Sequence, residues 1–142
     1  MSSSPALVAW RQRYATEVTQ AASDPTAAQQ KLEAASVHVQ RARDLLARGE
    51  YDLALNSAEA ALVVSCDAVL RKDGYLVRSH VARFAYPALP ALLKANAGLL
   101  YRIRTSRNAA QYEAPGTVSE ELAASAVQLA ARALGEVKAV IP

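Results

Sequence analysis

Apolar side chains recur along this chain at the three- and four-residue spacing of helices, and nowhere in the sustained alternation of a strand. Leu7, Trp10, Tyr14 and Val18 make one such stripe, opened by Ser4 and by Pro5 at the first helical position. They predict a first helix over about 5–22. Ser23-Asp24-Pro25 repeats the device, and Leu32, Ala35, Val39, Ala42, Leu45 and Leu46 keep the period until Gly49 stops it. From 51 to 72 the run YDLALNSAEAALVVSCDAVLRK is apolar nearly all round, which predicts the central, most buried helix, ended by Asp73-Gly74.

The stretch 75–90 is less regular, because Pro87 and Pro90 each remove a backbone donor; a short helix fits around 79–86. A fourth long helix is expected from about 90 to 112, with Leu92, Leu99, Ile103 and Ala110 inward and Lys94, Arg102 and Arg104 outward, before Ala114-Pro115-Gly116 breaks it. Thr117 with Glu120, or Ser119 alone, caps a last helix that buries Leu122, Ala126, Leu129, Ala133 and Val137. The pattern predicts one all-α domain over 1–142, an up-and-down bundle of about five helices, and no sheet. The segment LLARGEYDLALNSAEAAL is similar to the paired helices of a tetratricopeptide repeat, but it occurs once, and solenoids need about three stacked copies.

At 142 residues the chain can bury a core without disulfide or metal staples. Cys66 is the single cysteine and lies in an apolar stretch, which excludes a disulfide framework and a multi-cysteine metal site. No uninterrupted apolar run reaches the roughly 18 residues of a membrane span, and Met1-Ser2-Ser3-Ser4-Pro5 lacks the charge and apolar core of a signal. A cytoplasmic location without membrane contact is expected. Neither His38 nor His80 has a second ligand at metal spacing, no Gly-rich phosphate loop is present, and no cofactor is implied.

Charge is where the chain becomes informative. The net +3 is modest, yet residues 71–112 hold eight basic side chains, Arg71, Lys72, Arg78, Arg83, Lys94, Arg102, Arg104 and Arg107, against Asp73 alone. Guanidinium groups bind phosphates bidentately, although a solvated basic helix face has the same composition. Arg107 falls one turn past Ile103, at the margin of the core stripe, where it needs a carboxylate or phosphate partner. Glu59 and Asp67, on the apolar third helix, are either paired with an arginine such as Arg107 or exposed through a cleft. Tyr101, Thr105, Asn108 and Tyr112 share a helical face, suited to base stacking or to a dimer interface. His80, after Ser79, reads first as a capping or packing residue, and His38 as incidental.

In order and spacing, ARDLLARGEYDLALNSAEAALVVSCDAVLRKDG, then Ser79-His80, then RNAAQYE and the helix capped around Val118-Ser119-Glu120 resemble the HEPN domain over about 36–137. That resemblance implies a helical bundle that often dimerises and often works beside a minimal nucleotidyltransferase, frequently in toxin–antitoxin systems. Many members are metal-independent RNA endonucleases, marked by an arginine and a polar residue with a histidine after four to six positions. Arg107-Asn108 matches the first half. Tyr112 stands in place of the histidine, resembling the Arg-x4-Tyr form of members not expected to cleave RNA. A phenol titrates near 10 and is a poor general base at neutral pH. Five residues of straight helix also turn Tyr112 about 140° from Arg107, so one site would need an early helix end or a second subunit.

The expectation is therefore a HEPN-like, non-catalytic module, a homodimer, that binds RNA, a nucleotide or a nucleotidyltransferase-type partner through Tyr101, Arg102, Arg104, Arg107 and Tyr112. The enzymatic alternative is a divergent endoribonuclease in which Arg107 stabilises the phosphate, Asn108 orients it, and Tyr112 or His80 moves the proton. A structural adaptor bundle is the third.

Overall fold

A computed structural model describes residues 4–112 and 116–141, with the side chains of 110–112 excepted. Among the described residues are seven helices and one two-stranded ribbon: α1 (Pro5–Arg13), β1 (Val18–Gln20), α2 (Pro25–Ala47), α3 (Tyr51–Asp73), β2 (Tyr75–Val77), α4 (His80–Phe84), α5 (Ala91–Ala95), α6 (Ala97–Tyr112) and α7 (Glu120–Val140). The all-α bundle expected from the periodicity is what forms, with α2, α3 and α7 as its centre.

Small side chains set that centre. Helix α3 buries Ala54, Ala58, Ala61 and Ala68 beside Leu55, Leu62 and Leu70, and α7 buries Ala123, Ala126, Ala130 and Ala133, so the backbones approach closely. The five positions predicted for the last stripe are all buried, and so is Cys66, whose thiol is pushed upward in pKa by that burial. Helix α3 has the length and apolarity to cross a bilayer, which the sequence reading did not expect, but most of it is enclosed by its neighbours as a core helix.

Start and stop signals operate as read. Ser4, Asp24, Ser79 and Ser119 each accept a backbone N–H of the following turn, so Ser119 rather than Thr117 caps α7. Gly49 and Gly74 follow the ends of α2 and α3 with φ of +75° and +91°.

Three expectations are corrected. The first helix stops at Arg13, capped at Tyr14; residues 14–17 turn, with Glu17 and Val18 N–H donating to Tyr14 O, and the chain is extended from Val18. Val18, Thr19 and Gln20 then pair antiparallel with Val77, Leu76 and Tyr75, so a small sheet exists after all. The ribbon continues into Arg78 N–H donating to Glu17 O and Ala21 N–H donating to Gly74 O. Strands of three residues are too short to display alternation, so their period cannot be told from a helix edge. The fourth long helix is divided at Asn96, whose side-chain amide donates to Leu92 O at 2.8 Å, closing α5 with a local bond that competes with the helical ladder.

Candidate functional site

On one face of the α2/α3 hairpin a cleft of about 380 Å³ opens to solvent. Its lining comes from four elements: His38 and Arg41 from α2, Asn56, Glu59, Val63 and Val64 among others from α3, His80 from α4 and Arg107 from α6. Helical spacing explains the convergence. His38 and Arg41 are one turn apart on α2, while Asn56, Glu59 or Ala60, and Val63 climb α3 at the same interval.

Glu59 forms the floor. Its side chain is only 8% exposed, Oε1 lies 3.3 Å from Arg107 Nε, and Oε2 is buried without a hydrogen-bond partner. Desolvation raises its pKa above the ordinary 4.5 and prevails over the opposing pull of Arg107 and Arg104. Arg107 Nε also donates to Asn56 Oδ1 at 2.5 Å, yet the Arg107 side chain stays 31% exposed. Arg107 is thus anchored by a carboxylate and an amide but not sealed, and it remains part of the cleft lining.

The rim toward α4 is a second ion-pair group. Arg83, buried, donates through Nε to Asp67 Oδ1 at 2.7 Å and through Nη2 to Val77 O at 3.0 Å. Its Nη1 sits 2.6 Å from His80 Nδ1. A guanidinium only donates, so Nδ1 is the acceptor and the ring proton of neutral His80 resides on Nε2. Burial, then the charges of Arg83, Arg104 and Arg107, hold the His80 pKa below 6.5 against the weaker opposing effect of Asp67.

Among the residues expected to bind, Arg107 lines the cleft and Arg104, half-buried, acts on it electrostatically through Glu59 and His80. Tyr101, 71% exposed, Arg102 and Asn108 project from α6 outside it. The Tyr112 side chain lies outside the described residues. Of the alternatives offered for the two carboxylates of α3, pairing with an arginine is what forms: Arg83 takes Asp67, and Arg107 takes Glu59.

Sequence reasoning passed over Asn56 and Arg41 and took His38 as incidental. Arg41 makes no ion pair with any described residue, and only its one-turn spacing from His38, itself seven residues past Lys31, signalled that these polar groups share a face. The basic segment 71–112 does not form one patch: Arg83 is buried in its pair, Arg71 is bonded to Asp24, and Lys94 donates to Pro87 O. No group of three or more metal-ligating side chains occurs among the described residues. The chain matches no family model, no curated protein and no solved structure.

Proposed function

We propose that the cleft binds the phosphodiester backbone of single-stranded nucleic acid without catalysing its cleavage. What carries this reading is the convergence of Arg41, Arg107 and the Nε2–H of His80 on one solvent-open cleft, with Arg104 adding charge nearby. All are donors; phosphate oxygens are acceptors. Because Glu59 offsets the charge of Arg107, Arg41 and Arg104 supply the net positive field.

The same geometry argues against proton transfer. A general base needs a free lone pair, whereas Nδ1 of His80 accepts from Arg83 and Nε2 holds the proton. The depressed pKa keeps the imidazolium, the useful acid, scarce at neutral pH. A HEPN-like identity, a homodimeric state and a nucleotidyltransferase-type partner belong to the same proposal, supported by the helical bundle and by the Arg107-Asn108 pair on α6.

Labelled RNA and DNA oligomers titrated by anisotropy against wild type, Arg41→Ala and Arg104→Ala test it, with gels run in parallel for cleavage. Salt-sensitive binding weakened in both variants, and intact oligomers, are expected. Binding indifferent to salt and to both variants would overturn it, as would cleavage that disappears in Arg107→Ala.

A further inference from the structure

A second basic cleft continues the same face of the hairpin. It measures about 420 Å³ and is lined by Thr19 of β1, Lys31 of α2, Asp67 and Arg71 of α3, and Tyr75 to Arg78 of and beyond β2. On α2, Lys31 and His38 are seven residues apart and therefore on one stripe, with Arg41 a turn further. On α3, Val63 or Val64 of the first cleft and Asp67 and Arg71 of the second follow at helical intervals. The Asp67–Arg83–His80 group is the divider: Asp67 lines one cleft, His80 the other, and Arg83 bonds both.

Only part of the charge of the second cleft is spent internally. Arg71 is paired with Asp24 and Asp67 with Arg83, but Lys31 and Arg78 make no ion pair with any described residue. These two cations arrive from different elements, a helix and the end of the ribbon. That leaves Arg41 and Arg104 at one end and Lys31 and Arg78 at the other. Ten residues of helix separate Lys31 from Arg41, about 15 Å at 1.5 Å per residue.

We infer that the two clefts form one track for a single strand of nucleic acid, with the far cleft taking phosphates several nucleotides away from those held at Arg41 and Arg107. This rests on the reading of the first cleft and extends it to a minimum ligand length. At roughly 3.4 Å per phosphate in a stacked strand, 15 Å corresponds to about four to five nucleotides. Between the two ends the lining includes aliphatic Ala60, Val63 and Val64, and apart from Tyr75, which is buried, neither cleft is lined by Phe, Tyr or Trp; the other rings are the imidazoles of His38 and His80. Recognition is therefore chiefly of the backbone, with little sequence dependence.

The experiment compares a dinucleotide with an octanucleotide of single-stranded RNA, each against wild type, Lys31→Ala/Arg78→Ala and Arg41→Ala, across a salt series. Circular dichroism confirms that each variant is folded. The inference expects Lys31→Ala/Arg78→Ala to weaken the octamer roughly tenfold and to flatten its logarithmic salt slope by about 1.4, at about 0.7 per lost phosphate contact. Dinucleotide affinity should be unchanged in that variant and reduced in Arg41→Ala. An octamer that ignores Lys31→Ala/Arg78→Ala while Arg41→Ala still weakens it overturns the track and leaves the first cleft standing. Absence of binding by wild type to either length overturns both.

Discussion

Arg83 is held by Asp67 through a 2.7 Å bond in which the guanidinium side chain is 8% exposed and the carboxylate 21%. One arginine there ties α3 to α4, to the β2 carbonyl of Val77 and to His80. Its charge is tolerated only because a carboxylate meets it. Removing that carboxylate in Asp67→Ala leaves a buried cation uncompensated, at a cost of about 3 kcal/mol. A urea unfolding midpoint that falls by the corresponding amount, with an unchanged slope, is the expected outcome. The exposed pair Arg48–Glu50, separated by 3.8 Å, is the control, and Glu50→Ala should shift the midpoint by under about 1 kcal/mol.

Gly74 is needed for two separate reasons, and Gly49 for one. At Gly74, φ is +91° and a Cβ would stand 2.6 Å from the carbonyl oxygen of Ala21, a backbone atom of a residue whose N–H is itself bonded to Gly74 O. At Gly49, φ is +75°, but a Cβ would meet nothing closer than Tyr51 Oη at 3.8 Å. Gly49→Ala should therefore cost about 1 kcal/mol, the left-handed penalty alone, and Gly74→Ala clearly more, above about 2 kcal/mol. Thermal denaturation of the two variants side by side reads the difference; equal losses would show that the ribbon yields.

How much of this was legible in the sequence depends on the length of each signal. Stripes repeated over several turns placed α2 and α7 with their buried faces, a run apolar nearly all round placed α3, and the Ser4, Asp24 and Ser119 caps fixed where α1, α2 and α7 start. The ribbon escaped because three residues per strand carry no period, and the break at Asn96 because one side-chain bond, not a proline, ends α5. For the site, Arg107 was visible as a cation at the edge of a core stripe. Which carboxylate it meets was not, since Glu59 and Asp67 are equivalent in sequence, eight residues apart on one helix, and only the positions of α4 and α6 tell them apart. Arg41 was passed over and His38 taken as incidental because an arginine on an exposed helix face reads as solvated until a facing helix turns that face into a cleft wall.

The tautomer of His80 can be observed directly. With Nδ1 accepting from Arg83, the neutral ring should show the Nε2–H form in nitrogen-detected NMR, and its titration midpoint should lie below 6.5. Substituting Arg83 would remove the donor to Nδ1 itself, so the check is Asp67→Asn, which keeps an acceptor oxygen for Arg83 and is read on protein that circular dichroism shows to be folded. Loss of the one charge that favours imidazolium should lower the midpoint further. A midpoint at or above 6.5 in wild type would mean that His80 carries a proton into the cleft after all, restoring it as a candidate acid.

Glu59 gives the opposite sign of pH dependence from an ordinary paired carboxylate. Its folded pKa is raised above 4.5 because burial outweighs the attraction of Arg107 and Arg104. Between 4.5 and the raised value the folded chain binds more protons than the unfolded one, so this group's contribution to stability is complete below 4.5 and is lost as pH rises through the folded pKa. Gln at this position keeps the shape, has no titration, and can donate as well as accept, although it gives up the charge that anchors Arg107. The stability of Glu59→Gln minus that of wild type should therefore increase from pH 4 upward and level off once the wild-type carboxyl is fully ionised. Other carboxylates titrate in both proteins and cancel in the difference. Chemical denaturation at half-unit steps between pH 4 and 8 measures it; a difference that instead decreases with pH would mean that the Arg107 pair dominates desolvation, making Glu59 a stabilising partner rather than a strained cleft floor.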